Sequence, residues 1–303
     1  MAANTNIEAQ TQDMNTSVPP MGFKVIAREF AKDKGALIAL VLMVGLILSI
    51  MIGSYVIDQD QVMWVSLLDQ YAPPGDKFLL GADSGGRDIF GQLLIGGRNS
   101  ILIGIAVTFI TSVVGITIGL IAGYYGGLVD NILMRIIDFI MVLPTTMLII
   151  VFITIIPTYD VWTFIFIMSA FYWTGQARLV RSKALSEGRR DYISASKTMG
   201  TSSLKIMFRE IMPNLSSLII VDLTLNFAAN IGIETGLSYL GFGLPSSTPS
   251  LGTLVSYATS PDILENKTWV WLPASLLILV LMLCINYVGQ ALKRAADSKQ
   301  RLG

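Results

Sequence analysis

Histidine is absent from this sequence and cysteine occurs once, at Cys284. Without imidazole there is no His general acid or base and no His/Cys zinc site, and one thiol closes no intrachain disulfide. A self-contained metalloenzyme or thiol–His hydrolase is excluded, and no metal ligands are expected. Charge is scarce as well: Asp, Glu, Lys and Arg form 14% of the 303 residues, against about 25% in an ordinary soluble domain. The 21 basic and 21 acidic residues cancel, so no net field favours nucleic acid. No G-x-x-x-x-G-K-[ST] loop is present, and the glycine-rich runs GGRD and GFGLP lack the strand-to-helix context of a phosphate cradle. ATP hydrolysis and bound cofactors are therefore not expected of this chain.

Apolar residues dominate instead, at 53% with a mean hydropathy of +0.63. The composition is that of an all-α integral membrane protein. A polar stretch at 1–22 reads as a disordered leader, and 23–34 as a basic juxtamembrane segment carrying Lys24, Arg28, Lys32 and Lys34. The charge-free run 35–57 is 23 residues long, enough to cross about 30 Å of hydrocarbon and too long for a cleaved signal of about 7–15 apolar residues. It is expected to be the first transmembrane anchor. Further charge-free runs cover 99–129, 139–159, 161–177 and 268–292, and Leu215–Ile233 is broken only by Asp222. The count is six transmembrane helices, five of them in a core domain over 99–292. Leu237–Ser260 is uncharged too, but its glycines and prolines mark a loop, with a partly re-entrant path left open.

Basic residues orient the spans. Segment 178–213 holds eight cations against Glu187, Asp191 and Glu210, and the tail 293–303 adds Lys293, Arg294, Lys299 and Arg301. Loop 58–98 carries six Asp against Lys77, Arg87 and Arg98. Both termini and 178–213 are thus expected in the cytoplasm, with 58–98 and 238–267 outside.

Within the cytoplasmic loop 181–213, Tyr192, Ile193, Ala195, Thr198 and Met199 fall near one face of a short helix after Asp191. Gly200 is a natural stop, and Ser202 or Ser203 can cap a second helix, with Pro213 at the entry to the next span. That second helix sets Leu204, Met207, Phe208 and Ile211 opposite Lys205 and Arg209. Such an amphipathic pair fits a partner's groove or a membrane surface, and equally a plain connector.

The loop resembles the "EAA" loop of binding-protein-dependent ABC importer permeases, E-A-A, three residues, G, nine residues, I-x-L-P. Ser194-Ala195-Ser196, Gly200 and Glu210-Ile211-Met212-Pro213 occupy that frame; Ala195, Gly200 and Pro213 match, while Ser194, Ser196, Glu210 and Met212 depart. Two further stretches resemble the "C"-type permeases of oligopeptide, dipeptide and nickel systems. Before the second span stand Gly81, Asp83, Gly86, Arg87, Asp88, Gly97, Arg98 and Ser100; after the fifth stand Glu234, Leu237, Ser238, Leu240, Gly241, Gly243, Pro249, Gly252 and Leu254. With Arg135, Asp138, Pro144, Arg178 and Arg181, the similarity runs from about Phe23 to Arg301.

The resemblance implies a type I ABC importer permease fold in a bacterial cell membrane. It implies a homologous second permease, two ATPase subunits that bind ATP and Mg, an extracytoplasmic binding protein and a peptide substrate. It casts Asp191, Tyr192, Ser194, Ala195, Ser196, Lys197, Gly200, Leu204 and Pro213 as the ATPase-coupling loop. Gly81, Asp83, Gly86, Arg87, Asp88, Arg135, Asp138, Glu234, Gly241 and Gly243 are structural positions of the family motifs. Nickel or metal chelates are an alternative cargo, and an ion-coupled secondary transporter or a membrane scaffold a different class. Asp138, Asp222 and Glu234 lie in apolar segments, where a carboxylate marks a functional site by default. Asp138 has Arg135 three residues before it as a local partner. Asp222, Asn226 and Asn230, four residues apart in turn, are expected to form one polar stripe along a translocation path, with helix–helix packing as the alternative. Trp173, Trp269 and Trp271 are assigned to interfacial belts.

Overall fold

The computed structural model describes residues 23–245 and 247–297; the expected leader at 1–22 and the tail beyond 297 lie outside the described residues. Among the described residues the architecture is helical, with one isolated bridge, Ala82 to Asp88, as its β pairing. The helices are α1 (Phe23–Phe30), α2 (Lys34–Val56), α3 (Ile89–Tyr125), α4 (Gly127–Val142), α5 (Thr145–Ile155) and α6 (Val161–Glu187). After these come α7 (Asp191–Thr198), α8 (Ser203–Ile206), α9 (Ser216–Tyr239), α10 (Leu251–Ser256), α11 (Pro261–Asn266) and α12 (Leu272–Asp297).

Four of them, α2, α3, α9 and α12, are long and apolar enough to cross a membrane. Helices α4 and α5 make a fifth if taken as one span bent by 76° at Leu143–Pro144. Proline has no amide to give and pushes the residue before it out of the helical region, and Leu143 is extended (φ −72°, ψ 142°). The expected fourth span, 161–177, falls in α6, which has the length but not the hydropathy, because it carries Thr174, Gln176, Arg178 and Arg181. Three of those groups bond to neighbouring helices: Ser112 Oγ donates to Gln176 Oε1 at 2.8 Å, Arg178 forms an exposed pair with Asp138, and Arg181 pairs with the buried Asp130.

The helices overrun the charge-free stretches. Helix α3 starts at Ile89, ten residues before the expected span start at Asn99, since Asp88 caps it through the Phe90 and Gly91 amides at 3.3 and 2.9 Å. Helix α6 continues past Ala177 to Glu187, and α9 past Ile233 to Tyr239. Only the part of a helix within hydrocarbon must avoid charge, so charge-free runs mark the minimum of a span. The expected loop 237–260 likewise holds α10, whose capping box joins Ser250 to Thr253.

Helix α3 is the centre of the bundle, and glycines bring its neighbours close. Gly97 meets Ile50 of α2, and Gly104 meets Phe227 and Ile231 of α9. Gly115, Gly119 and Gly123 face the α6 backbone: a Cβ on them would lie 2.9, 2.6 and 2.8 Å from the carbonyl oxygens of Trp173, Ala177 and Arg181. Both sets repeat every four residues, so the two backbones run together along a full face, as small residues allow in membranes. Helix α9 packs on α3 and α12, and α12 on α2. Asp33, the N-cap of α2, also receives Arg294 Nη2 of α12 at 2.8 Å, and that hydrogen bond, followed by the Ala36 amide, holds its carboxyl below the ordinary value.

Gly119→Val would force α3 off α6, an overpacking of roughly 1–3 kcal/mol or more because backbone is what it meets. Gly45→Val, at a position with nothing within 4 Å, is the matched control. Thermal unfolding in detergent should show a lowered midpoint for the first and little change for the second; equal midpoints would refute the close α3–α6 contact.

Candidate functional site

One end of the bundle carries the loop between α6 and α9. Gly188 caps α6, and Arg190 returns to Glu187 at 3.0 Å before α7 begins. Gly200, at φ +77°, ends that excursion: its amide reaches Lys197 O at 3.0 Å and the Thr201 amide reaches Ser196 O at 3.1 Å. This is the paired bonding of a left-handed C-terminal stop, so the expected glycine stop is present. Ser202 occupies the next N-cap without a side-chain cap bond. Helix α8 then widens into a π-turn (Met207–Ile211) and ends in Met212–Asn214. The Met212 amide reaches Met207 O just before Pro213, which has no amide to continue an ordinary ladder.

Packing covers one side of each short helix and leaves the other free. Of the α7 residues only Ile193 is buried, whereas Tyr192, Ala195, Thr198 and Met199 are exposed. In the second helix Ile206, Met207 and Ile211 are buried, while Leu204 is 67% exposed and Phe208 39%. The π-turn shifts the register that a 3.6-residue period assumes over Met207–Ile211. Ile193, Ile206, Met207 and Ile211 pack with Leu120 of α3 and Val180 and Ala184 of α6. Polar ties add to this seat. Tyr192 Oη donates to Glu187 Oε1 at 2.7 Å and accepts from Asn214 Nδ2 at 2.8 Å, and Lys197 Nζ lies 4.6 Å from the Tyr124 ring centre. Burial first, and Glu187 second, push the Tyr192 hydroxyl up to about 12, so it remains a donor at neutral pH. Asp191, Ser194, Ala195, Lys197, Met199, Gly200, Leu204 and Pro213 face outward, and Ser196 is half-buried. The loop is a rigid foot on α3 and α6 with a small exposed apolar face.

At the opposite end the glycine-rich motifs build a cap. Asp83 is fully buried and accepts from the Gly85 and Arg87 amides and from Gln92 Nε2 and Tyr257 Oη. Burial, then Asp83, raise the Tyr257 hydroxyl to about 12. Gly86 is in the left-handed region (φ +71°), and any Cβ there would overlap the Ser66 carbonyl. A Cβ on Gly81 would meet the Trp269 ring at 2.5 Å. Trp269 and Trp271 are half-buried and pack against the cap cluster that holds Ile89, Leu251 and Val270. Glu234 of α9 is the second polar centre. With 0% exposure it accepts from Ser100 of α3 at 2.9 Å, Ser238 at 2.9 Å and Ser250 at 2.7 Å. Ser100 Oγ also accepts the Leu251 amide at 3.0 Å, and Asn99 Nδ2 donates to Pro249 O at 2.7 Å. Gly241 turns the chain back at φ +86°, and Gly243 lies so close to Ser238 that a side chain would overlap it.

Between the two ends, Asp138 takes Arg178 of α6 as its partner and not Arg135 of its own helix, and Arg135 is exposed. A cross-helix guanidinium reaches what a side chain one turn away on the same face does not. The expected stripe on α9 splits as well. Asn226 Nδ2 donates to Asp222 Oδ2 at 2.9 Å, both half-buried, but Asn230 is buried and donates to Thr108 Oγ1 of α3 at 2.9 Å. Eight residues at about 100° each leave a turn of roughly 80° between Asp222 and Asn230, enough to send them to different faces. Among the described residues no three Asp, Glu or Cys side chains converge as metal ligands would.

Residues 115–301, which include the foot, α9 and the part of the cap that follows Glu234 but not Asp83 or Arg87, match the family described as binding-protein-dependent transport system inner membrane component. The chain belongs to this family. Oligopeptide transport system permease protein OppC of Lactococcus lactis subsp. lactis (strain IL1403) is 51% identical over 276 residues, covering 91% of this chain and 94% of that one. The proteins of the same description in Mycobacterium tuberculosis (strain ATCC 25618 / H37Rv) and Bacillus subtilis (strain 168) are 35% and 33% identical over 288 and 272 residues. They cover 91% and 90% of this chain, and 94% and 88% of their own. The permease is thus a multi-pass membrane component of a binding-protein-dependent transport system, a family of transport and not of catalysis. Neither Ser100 nor the glycine ladder 115/119/123 is a candidate on chemistry alone; the four-residue glycine spacing is the signal that marks the ladder.

Glu234→Ala would strand three buried hydroxyls, at about 1–3 kcal/mol for each left unsatisfied. The permease yield after detergent extraction and its thermal midpoint should both fall, with Glu234→Gln intermediate because it keeps one acceptor oxygen. A wild-type midpoint for Glu234→Ala would remove this carboxylate from the cap's support.

Proposed function

We propose that the chain is the permease subunit of an ATP-driven peptide importer in a bacterial cell membrane, providing half of the translocation path. The observation that carries this reading is its 51% identity, over 91% of its length, to an oligopeptide transport permease. Its partners would be a second permease, two ATPases that hold ATP and Mg, and an extracytoplasmic binding protein. Six spans with both termini in the cytoplasm complete the proposal; α6 crosses as the least apolar of them, with Arg178 and Arg181 paired to Asp138 and Asp130 of α4. The family match favours this importer over an ion-coupled transporter.

The foot is proposed as the ATPase contact. Its outer face offers Ala195, Met199 and Leu204 beside Lys197, while Ile193 and Tyr192 hold it to α3 and α6. A push on that face would be carried by α6 to Arg178 and Arg181, which grip Asp138 and Asp130 of α4. Helix α4 ends at the Pro144 break, where a small rotation would swing α5. ATP-driven closure would in this way alternate access to the path.

A single cysteine at Ser196, in a Cys284→Ser background, tests side and contact together. It should resist an impermeant thiol reagent in intact cells and crosslink to a cysteine in the groove of an ATPase. Gly200→Arg places a β-carbon at φ +77° and a charge on the contact face, and should lower transport at least about tenfold with membrane levels little changed. Labelling from outside would refute the topology, and full transport by Gly200→Arg would make the loop a connector.

Asp222 and Asn226 are proposed to face the path, since a half-buried carboxylate and amide are unfavourable against lipid. Asn230 belongs to the α3 contact instead. Asn226→Leu should lower uptake per assembled complex, or shift peptide preference, without lowering complex yield. A lowered yield with unchanged normalised uptake would assign the pair to packing.

A further inference from the structure

In the cap the guanidinium of Arg87 has no counter-charge among the described residues. The two oxygens of Asp83 accept from Gly85 N at 2.8 Å, Arg87 N at 2.9 Å, and Gln92 Nε2 and Tyr257 Oη at 3.0 Å each. A carboxylate offers about four lone-pair positions, and four donors use them. The nearby acid therefore has nothing left for the Arg87 side chain. Among the described residues Arg87 joins no ion pair, and its Nε is buried with no acceptor in reach.

Arg87 stands on the wall of an open cavity of about 360 Å³, together with Gln92, Tyr159, Pro249, Ser256 and Tyr257. The other polar tips on this wall are already engaged. Tyr159 donates to the Gly243 carbonyl, Gln92 and Tyr257 donate to Asp83, and Ser256 Oγ donates to Thr253 O at 2.7 Å. A guanidinium with donors left free is matched by a planar anion that takes two parallel hydrogen bonds. The cavity is larger than a carboxylate alone and has room for the residue that bears it.

We propose that this cavity is a carboxylate-binding site with Arg87 as its anchor. The proposal rests on the importer reading, which puts the cap on the extracytoplasmic side. There, the carboxylate comes from the C-terminus of the transported peptide or from an acidic side chain of the binding protein.

The test uses the whole transporter, with second permease, ATPases and binding protein, in proteoliposomes. Uptake of one peptide is measured in free-acid and C-terminally amidated forms, alongside the affinity of the peptide-free binding protein for the complex. The variants are Arg87→Gln, which removes the anchor, and Ser256→Asp, which keeps Arg87 and supplies the cavity with its own carboxylate. If the peptide terminus is the ligand, the wild type imports the acid about tenfold or more faster than the amide, and both variants lose that preference. Because the binding protein is unchanged, a preference of its own would survive in the variants. If a binding-protein side chain is the ligand, acid and amide behave alike and both variants weaken its affinity about tenfold. Should Arg87→Gln fail to assemble, Ser256→Asp decides. Wild-type acid-to-amide ratios and unchanged affinity in the assembled variants would overturn the site. Wild-type uptake of either peptide form establishes import independently, so the site can fail while the importer reading stands; no uptake of either form would sink that reading, and the affinity measurement alone would then decide the site.

Discussion

The close approach of α3 to α6 is the contact on which the rest of the permease depends. Three glycines on one face of α3 let its backbone lie against that of α6, at a separation no side chain would permit. In a membrane, helices gain little from the hydrophobic effect when they associate, so dispersion between backbones this close supplies much of the association. Everything at the loop end is built on the pair: Leu120 from one helix, Val180 and Ala184 from the other, form the seat of the foot. The same pairing aims Arg178 and Arg181 outward from α6 at Asp138 and Asp130, and so ties in α4. Loosening the glycine face would disturb the seat, the two ion pairs and the bent α4–α5 span together.

The cap follows a different rule, set by scarcity of water and not of space. Backbone that leaves a helix within or beside a membrane must find partners for its amides and carbonyls in protein. Asp83 and Glu234 act as collecting points for them. Asp83 gathers two amides, an amide side chain and a phenol from segments far apart in sequence, and Glu234 gathers hydroxyls from α3, from its own helix and from the start of α10. Each carboxylate can remain buried because donors surround it, and each segment is held in place because the carboxylate needs it. Arg87 is what this arrangement leaves over, since saturating Asp83 with neutral donors strands the guanidinium four residues away.

Much of this was legible in advance, and the remainder was hidden for identifiable reasons. Gly200 could be read as a stop because a left-handed residue is a local requirement that glycine meets alone. The membrane class could be read because hydropathy is a sum over residues. That Leu204 stays exposed while Ile206 is buried could not be read from spacing, and nothing in MFREI announces the π-turn. Asn230 was misplaced because a stripe of i+4 steps drifts around the helix. Asp138 was given Arg135 as a neighbour, whereas Arg178, 40 positions away, is the partner that folding brings.

By itself the sequence determined that this is a helical membrane protein, roughly where its spans lie, and which stretches carry the family's motifs. These are properties of composition, of local backbone preference and of short spacing. Only the tertiary structure decided which charge meets which, where each span ends, which face of the foot is free, and that Asp83 has no capacity left for Arg87. Those depend on distances between residues far apart in the chain, and on a tally of hydrogen-bond partners that exists only after the helices have packed.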